Sequence, residues 1–125
     1  MTQPGYILLV EDDRDIRETL AEALGDQGYQ VVEAIDGLDA LDRLRGAATV
    51  PDLIVLDLMM PRMNGAEFRA RMLEVDAWRA VPVLVLTADA EARAKAEALG
   101  ADGFLRKPVG LRDLLGAVTR LRHPT

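Results

Sequence analysis

The chain reads as an α/β domain, a doubly wound parallel sheet of five strands with five helices on its two faces. Three observations predict this. Short apolar runs alternate with segments of helical periodicity along all 125 residues. The first, third and fourth runs are continuously apolar, as in strands covered on both faces. The connections are short, and such alternation returns each strand parallel to the last through a right-handed crossover.

Tyr6-Ile7-Leu8-Leu9-Val10 is the first buried strand. Ile16, Leu20 and Leu24 then recur at helical spacing, and Gly25 or Gly28 stops that helix. Gln30-Val31-Val32-Glu33-Ala34 is a second, less apolar strand. Asp36 is placed to cap a helix carrying Leu38, Leu41 and Leu44. Leu53 to Asp57 is the third strand, preceded by Pro51. Asn64-Gly65 interrupts the loop that follows, and Phe68 and Met72 mark the third helix. Pro82 to Thr87 is the fourth strand, with its proline where a missing N–H is tolerated. Ala90 to Leu99 is a helix ended by Gly100, and Phe104-Leu105 is a brief fifth strand closed by Lys107-Pro108. Leu111, Leu114, Leu115, Val118 and Leu121 stripe the last helix. The sequence holds no internal repeat, linker or low-complexity segment.

Composition narrows the function classes. A chain of 125 residues is one domain, residues 1–125, with an ordered core expected over about residues 5 to 122. No apolar run approaches bilayer length, and Met1-Thr2-Gln3-Pro4-Gly5 lacks the features of a secretory signal, so no membrane association and a cytoplasmic location are expected. A net charge of -6 argues against direct nucleic-acid binding by this domain. There is no Cys, and the sole His is His123, beside Pro124. Any chemistry therefore falls to carboxylates, hydroxyls, Lys or Arg.

The strand ends supply those groups. In a parallel sheet every C-terminal strand end lies on one edge, where open α/β sheets bind ligands. Here the first strand ends in Glu11-Asp12-Asp13, the third in Asp57, the fourth in Thr87-Ala88, and the fifth near Lys107. An apolar strand that delivers a carboxylate is costly unless the carboxylate has a partner or a task. Clustered carboxylates repel and need a cation, and hard oxygen donors suit Mg²⁺ or Mn²⁺. Mg²⁺ takes few carboxylates and favours phosphate oxygens, so the edge is suited to a phosphoryl group. Asp57 is then the candidate nucleophile, Thr87 a hydrogen-bond donor and Lys107 a balancing point charge. Ala88 is small enough to leave its backbone N–H open. Glu11, Asp12 and Asp13 have a second reading, as caps of the first helix. Lys107 gains weight because only it and Lys95 are lysines among fifteen basic residues.

Four segments carry a resemblance: Ile7-Leu8-Leu9-Val10-Glu11-Asp12-Asp13, Asp57-Leu58-Met59-Met60-Pro61-Arg62-Met63-Asn64-Gly65, Pro82-Val83-Leu84-Val85-Leu86-Thr87-Ala88, and Lys107-Pro108. In this order and spacing, over residues 5 to 122, the chain resembles the receiver domain of two-component response regulators. The resemblance implies a (βα)5 flavodoxin-like fold with strand order 2-1-3-4-5. It implies Asp57 as phosphoacceptor, Asp12 binding Mg²⁺ directly, Glu11 binding it through water, and Met59 offering its backbone carbonyl. Asp13 becomes an accessory acid. Thr87 becomes the switch hydroxyl with Ala88 beside it, Phe104 the switch aromatic, and Lys107 the contact to Asp57 or the phosphoryl group. A cis Lys107-Pro108 bond is implied as well. The implied partners are a sensor histidine kinase or histidine phosphotransfer protein, and a downstream effector protein or self-dimer. Asn64, Gly103 and the long stretch Val75 to Val81 depart from the family pattern.

On this reading the protein is not an enzyme acting on an external substrate. It is a signalling switch that catalyses its own phosphorylation and dephosphorylation. The fourth helix carries five alanines, with Leu99 as its one large apolar residue, a pattern that suits a helix able to shift at modest cost and equally one whose alanines simply allow close packing. The face formed by that helix, the fifth strand and the last helix is expected to change on phosphorylation. Two other functions are compatible with parts of the pattern. An Asp-nucleophile phosphatase of the haloacid-dehalogenase type needs an Asp-x-Asp after its first strand, which Glu11-Asp12-Asp13 lacks. A pseudo-receiver binding module has no need of the intact acids, Thr87 and Lys107.

Overall fold

The computed structural model describes residues 5–122, so the Met1–Pro4 segment and His123 lie outside the described residues. Five strands form one parallel sheet in the order β2-β1-β3-β4-β5. They are β1 (Tyr6–Val10), β2 (Gln30–Ala34), β3 (Leu53–Asp57), β4 (Val83–Thr87) and β5 (Gly103–Arg106). The helices are α1 (Arg14–Asp26), α2 (Gly37–Gly46), α3 (Gly65–Leu73), α4 (Asp76–Arg79), α5 (Ala92–Ala98) and α6 (Leu111–Leu121).

The alternation of side chains along the central strands divides the core in two. Leu8, Val10, Ile54, Leu56, Val83 and Val85 face one side, where α2, α3, α4 and α5 bring Leu41, Leu44, Phe68, Met72, Trp78 and Ala96. Ile7, Leu9, Leu53, Val55, Leu84 and Leu86 face the other, where α1 and α6 bring Leu20, Leu24, Leu114 and Val118. The continuous apolar runs in the sequence are the physical record of this double coverage.

The helix starts follow from local chemistry. Asp13 accepts from Ile16 N at the start of α1, and Asp36 accepts from Asp39 N at the start of α2. Asn64 and Glu67 form a reciprocal capping box on α3. Gly28 and Gly100 follow α1 and α5 at positive φ, as chain reversals after helices require.

β4 begins at Val83 rather than Pro82 and β5 extends over Gly103–Arg106 rather than Phe104-Leu105 alone, and two larger details also differ from expectation. A sixth, short helix occupies the Val75–Val81 stretch, where Trp78 is buried against the sheet. Four residues are too few to show a helical period, so the sequence presents it only as a long connection. The expected fourth helix is α5, and it begins at Ala92 rather than Ala90. Asp89 is responsible: its Oδ1 accepts from Glu91 N at 2.7 Å and holds residues 89–91 in a turn. Among the described residues no helix is long and apolar enough to cross a membrane.

Candidate functional site

The strand order reverses direction between β1 and β3, and a crevice opens there at the C-terminal edge. Glu11 follows β1 directly, and its N–H extends the ladder to the Ala34 carbonyl at 3.0 Å. This holds its side chain inward, fully buried. Asp57 ends β3 in register with Leu86 and is also buried. Asp12, one residue beyond Glu11, is exposed at the mouth. Carboxylate oxygens from Glu11, Asp12 and Asp57 all lie within 4.8 Å of one another.

Lys107 arrives from the end of β5. Its Nζ donates to both Glu11 oxygens at 3.1 Å and lies 3.4 Å from Asp57 Oδ2. Its backbone N–H donates to the Thr87 carbonyl at 2.8 Å, which locks the β5 end to the β4 end. The Lys107–Pro108 peptide is cis. Asp57 Oδ1 accepts from Met59 N at 3.2 Å. Gly65 is required nearby: a Cβ there would fall 2.7 Å from the Asp57 carbonyl oxygen.

The electrostatics follow from burial. Burial pushes the Glu11 carboxyl up to about 7, and the negative charge of Asp57 adds to the rise. Burial raises Asp57 too, against the opposing pull of its Glu11 hydrogen bond and the Lys107 charge. Without a metal ion the pair therefore holds a proton above the usual carboxylate range, even beside Lys107. Burial works against the Lys107 ammonium, but its bonds and charges with Glu11 and Asp57 outweigh this and raise its pKa.

Thr87 is buried at the end of β4, and its Oγ1 accepts from Asp89 N at 3.1 Å. Asp89 in turn binds Lys95 of α5 at 2.8 Å. A chain of polar contacts thus runs from the crevice to α5. Ala88 is exposed beside it. Phe104 is half-buried on β5, with the Arg93 guanidinium 5.8 Å from its ring centroid. Asp13 stands outside the cluster as the α1 cap. The Met59 side chain is 73% exposed, beside the crevice.

Arg17 belongs to the site and was not singled out from sequence. Its Nη1 donates to the Glu11 carbonyl at 3.0 Å, and its Nε pairs with Glu33 at 3.2 Å. It braces the acidic turn from α1. Its position one turn into an acid-capped helix is a weak signal, shared with many helix-surface arginines. A cleft of about 600 Å³ opens beside Lys107, lined by Ile16, Thr19, Leu20, Ala88, Pro108 and Val109 among others.

Comparison with known proteins agrees with this architecture. Residues 7–119 match the response regulator receiver domain family. The chain is 40% identical over 124 residues to the response regulator MprA of Mycobacterium sp. (strain KMS), covering 98% of this chain and 52% of that protein. The chain therefore spans about half the length of the curated relatives it matches. Among solved structures, the chemotaxis protein CheY4 of Vibrio cholerae superposes with a TM-score of 0.86 at 33% identity, covering 95% of this chain and 99% of that one. The receiver domain of sensor histidine kinase PA1611 from Pseudomonas aeruginosa PAO1 has a magnesium ion coordinated in its active-site cleft. It superposes with a TM-score of 0.84 at 26% identity, over 95% of this chain and 98% of its own. Sheet order, crevice and relatives converge on one conclusion: the chain belongs to the response regulator receiver domain family.

Proposed function

We propose that Asp57 accepts a phosphoryl group from a phosphohistidine of a partner, a sensor histidine kinase or histidine phosphotransfer protein, in a two-component phosphorelay. The company kept by Asp57 carries this reading. Its buried carboxylate has Glu11 and Asp12 oxygens within 4.8 Å and an ammonium at 3.4 Å. No structural need explains three acids and a lysine converging on one crevice.

The donor set fits Mg²⁺, and Mn²⁺ suits the same hard oxygens. Glu11, Asp12 and Asp57 each bring one carboxylate oxygen within 4.8 Å of the others, a cluster that a single small cation could share. Glu11, Asp12, Asp57 and the Met59 backbone carbonyl would hold it, with Glu11 acting through water. When bound, the ion neutralises charge on the carboxylates and on the phosphoryl oxygens.

An Asp57 oxygen attacks phosphorus, and the P–N bond breaks with its electron pair leaving on the partner imidazole. Lys107 balances charge on the phosphoryl oxygens. The Thr87 hydroxyl donates to one of those oxygens, and Ala88 leaves its backbone N–H accessible. The cleft beside Lys107 gives the donor an apolar surface contiguous with the crevice. The product is a state of this protein: the α5–β5–α6 face, with Phe104 within it, changes its affinity for a downstream effector protein or a second copy. The expected location is the cytoplasm, where such kinases present their phosphohistidine.

Intact mass after incubation with acetyl phosphate and Mg²⁺ tests the reading. A stoichiometric, hydroxylamine-labile adduct that is absent in Asp57→Ala supports it. Multiple turnover of an external phosphoester would instead indicate a phosphatase. Neither adduct nor turnover would indicate a pseudo-receiver.

A further inference from the structure

Arg62 is the one non-glycine residue at positive φ among the described residues, at φ 63. That conformation crowds Cβ against the following carbonyl, and arginine has no short polar side chain to compensate locally. Something outside the loop must hold it.

The holder is Asp36. Arg62 Nε donates to Asp36 Oδ2 at 2.5 Å, and the Asp36 side chain is 3% exposed. The other Asp36 oxygen caps α2 through Asp39 N at 2.8 Å. Burial works to raise the Asp36 pKa, but the Arg62 and backbone bonds outweigh it and lower it. The carboxylate is thus an ionised, fixed anchor. One residue on, Gly37 N donates to the Met63 carbonyl at 3.1 Å. A Cβ on Gly37 would fall 2.7 Å from that same oxygen, so the loop lies directly on the start of α2.

The loop is fastened at its other end beside Asp57. Met59 N donates to Asp57 Oδ1, and Gly65 N donates to the Leu58 carbonyl at 3.1 Å. Between these fastenings lie Met59 and its carbonyl. We propose that the Arg62–Asp36 pair is a positioning device that holds the β3–α3 loop in the shape aiming the Met59 carbonyl at the metal. The inference rests on the metal reading above for its purpose, but not for the fastening itself.

The test compares Arg62→Ala, Asp36→Asn and Arg62→Lys with the parent protein. Asn at position 36 still caps α2, and Lys at position 62 keeps the cation. The first readout is the backbone ¹⁵N order parameters of residues 59, 60, 62 and 63 without metal. In Arg62→Ala and Asp36→Asn they should fall from about 0.85 toward about 0.6, with the sheet unchanged. Arg62→Lys should stay near the parent. The second readout is Mg²⁺ affinity by calorimetry, expected to weaken about fivefold or more in the two disrupted variants, about 1 kcal/mol, and less than about twofold in Arg62→Lys. Unchanged order parameters in both disrupted variants overturn the fastening. A loosened loop with unchanged Mg²⁺ affinity overturns its positioning role. If the parent protein itself binds no Mg²⁺, the metal reading fails, and the positioning role fails with it; the order parameters still decide the fastening.

Discussion

Arg69 of α3 caps the far end of α5: its Nε donates to the Leu99 carbonyl at 3.0 Å. Its Nη2 reaches the Gly100 carbonyl at 3.1 Å, and its Nη1 contacts Met72 Sδ at 3.4 Å. The guanidinium is buried, and burial lowers its pKa against the partial support of Asp102. A buried cation spent on backbone carbonyls is unusual, and its placement matches the negative end of the α5 dipole. The helix it holds buries only Ala92 and Ala96, so few apolar contacts compete with it.

Arg69→Met keeps the apolar length and removes the donors. The fold should lose about 2 kcal/mol, the scale of charge-assisted hydrogen bonds left unmade. Urea denaturation measures the loss. Amide exchange should accelerate in residues 95–101 before it does in the sheet. Unchanged exchange in that segment would refute the cap.

The acid crevice makes a pH prediction with a definite sign. Glu11 rises from its usual 4.5 to about 7 in the fold, and Asp57 is raised in the same direction. A raised pKa means that the folded state holds the proton longer than the unfolded chain does. The contribution is full below the usual carboxylate range and is lost as pH rises through about 7. The lowered Asp36 and Asp89 act in the opposite sense, but only as pH falls below the usual 3.8. Metal-free protein should therefore lose stability between pH 5 and 7.5, and Glu11→Gln should flatten the slope. Mg²⁺ affinity should rise over the same window, by up to about tenfold per pH unit. Thermal melts in chelator across that range check the first part. A melting temperature that climbs from pH 5 to 7.5 would sink it.

Asp57→Asn follows from the same repulsion. The amide keeps an acceptor for Met59 N and removes one of the two buried carboxylates of the cluster. At pH 7.5 without metal, the variant should be more stable by about 1–2 kcal/mol, while the stabilisation by Mg²⁺ shrinks. Denaturation with and without the ion measures both. A destabilised variant would mean that the Lys107 contact outweighs the repulsion it balances.

These features differ in how far they can be read from residues alone. Strands β1 and β3 coincide with their apolar runs because burial on both faces leaves no polar position to blur the ends. Asp36 was legible as a helix start because capping is local chemistry, whereas Asn64, which reads in the sequence only as a break in the loop, turns out to cap α3. Asp13 was ambiguous, since a carboxylate after a strand suits a cap or a cation equally; only its bond to Ile16 N separates the roles. The crevice acids were legible because parallel topology gathers strand ends. The Arg69–Leu99 and Arg62–Asp36 pairs were not, being separated by 30 and 26 positions. No period or spacing rule distinguishes such an arginine from a solvated one on the same helix or loop.

The link from crevice to α5 yields the last prediction. Thr87 Oγ1 accepts from Asp89 N, and Asp89 holds Lys95 within α5. If the hydroxyl turns toward a phosphoryl group, Asp89 N must find another acceptor, and the turn at 89–91 must adjust. Thr87→Val keeps the shape and strand propensity but removes the hydroxyl. It should cost about 1 kcal/mol, because Asp89 N loses its acceptor. Beryllium trifluoride, a phosphoryl mimic, should still bind at Asp57 in this variant. The amide shifts it induces in Glu91–Ala98 and Phe104 of the parent should be lost, and Thr87→Ser should restore them. Parent-like shifts in Thr87→Val would show that the signal reaches α5 by another route.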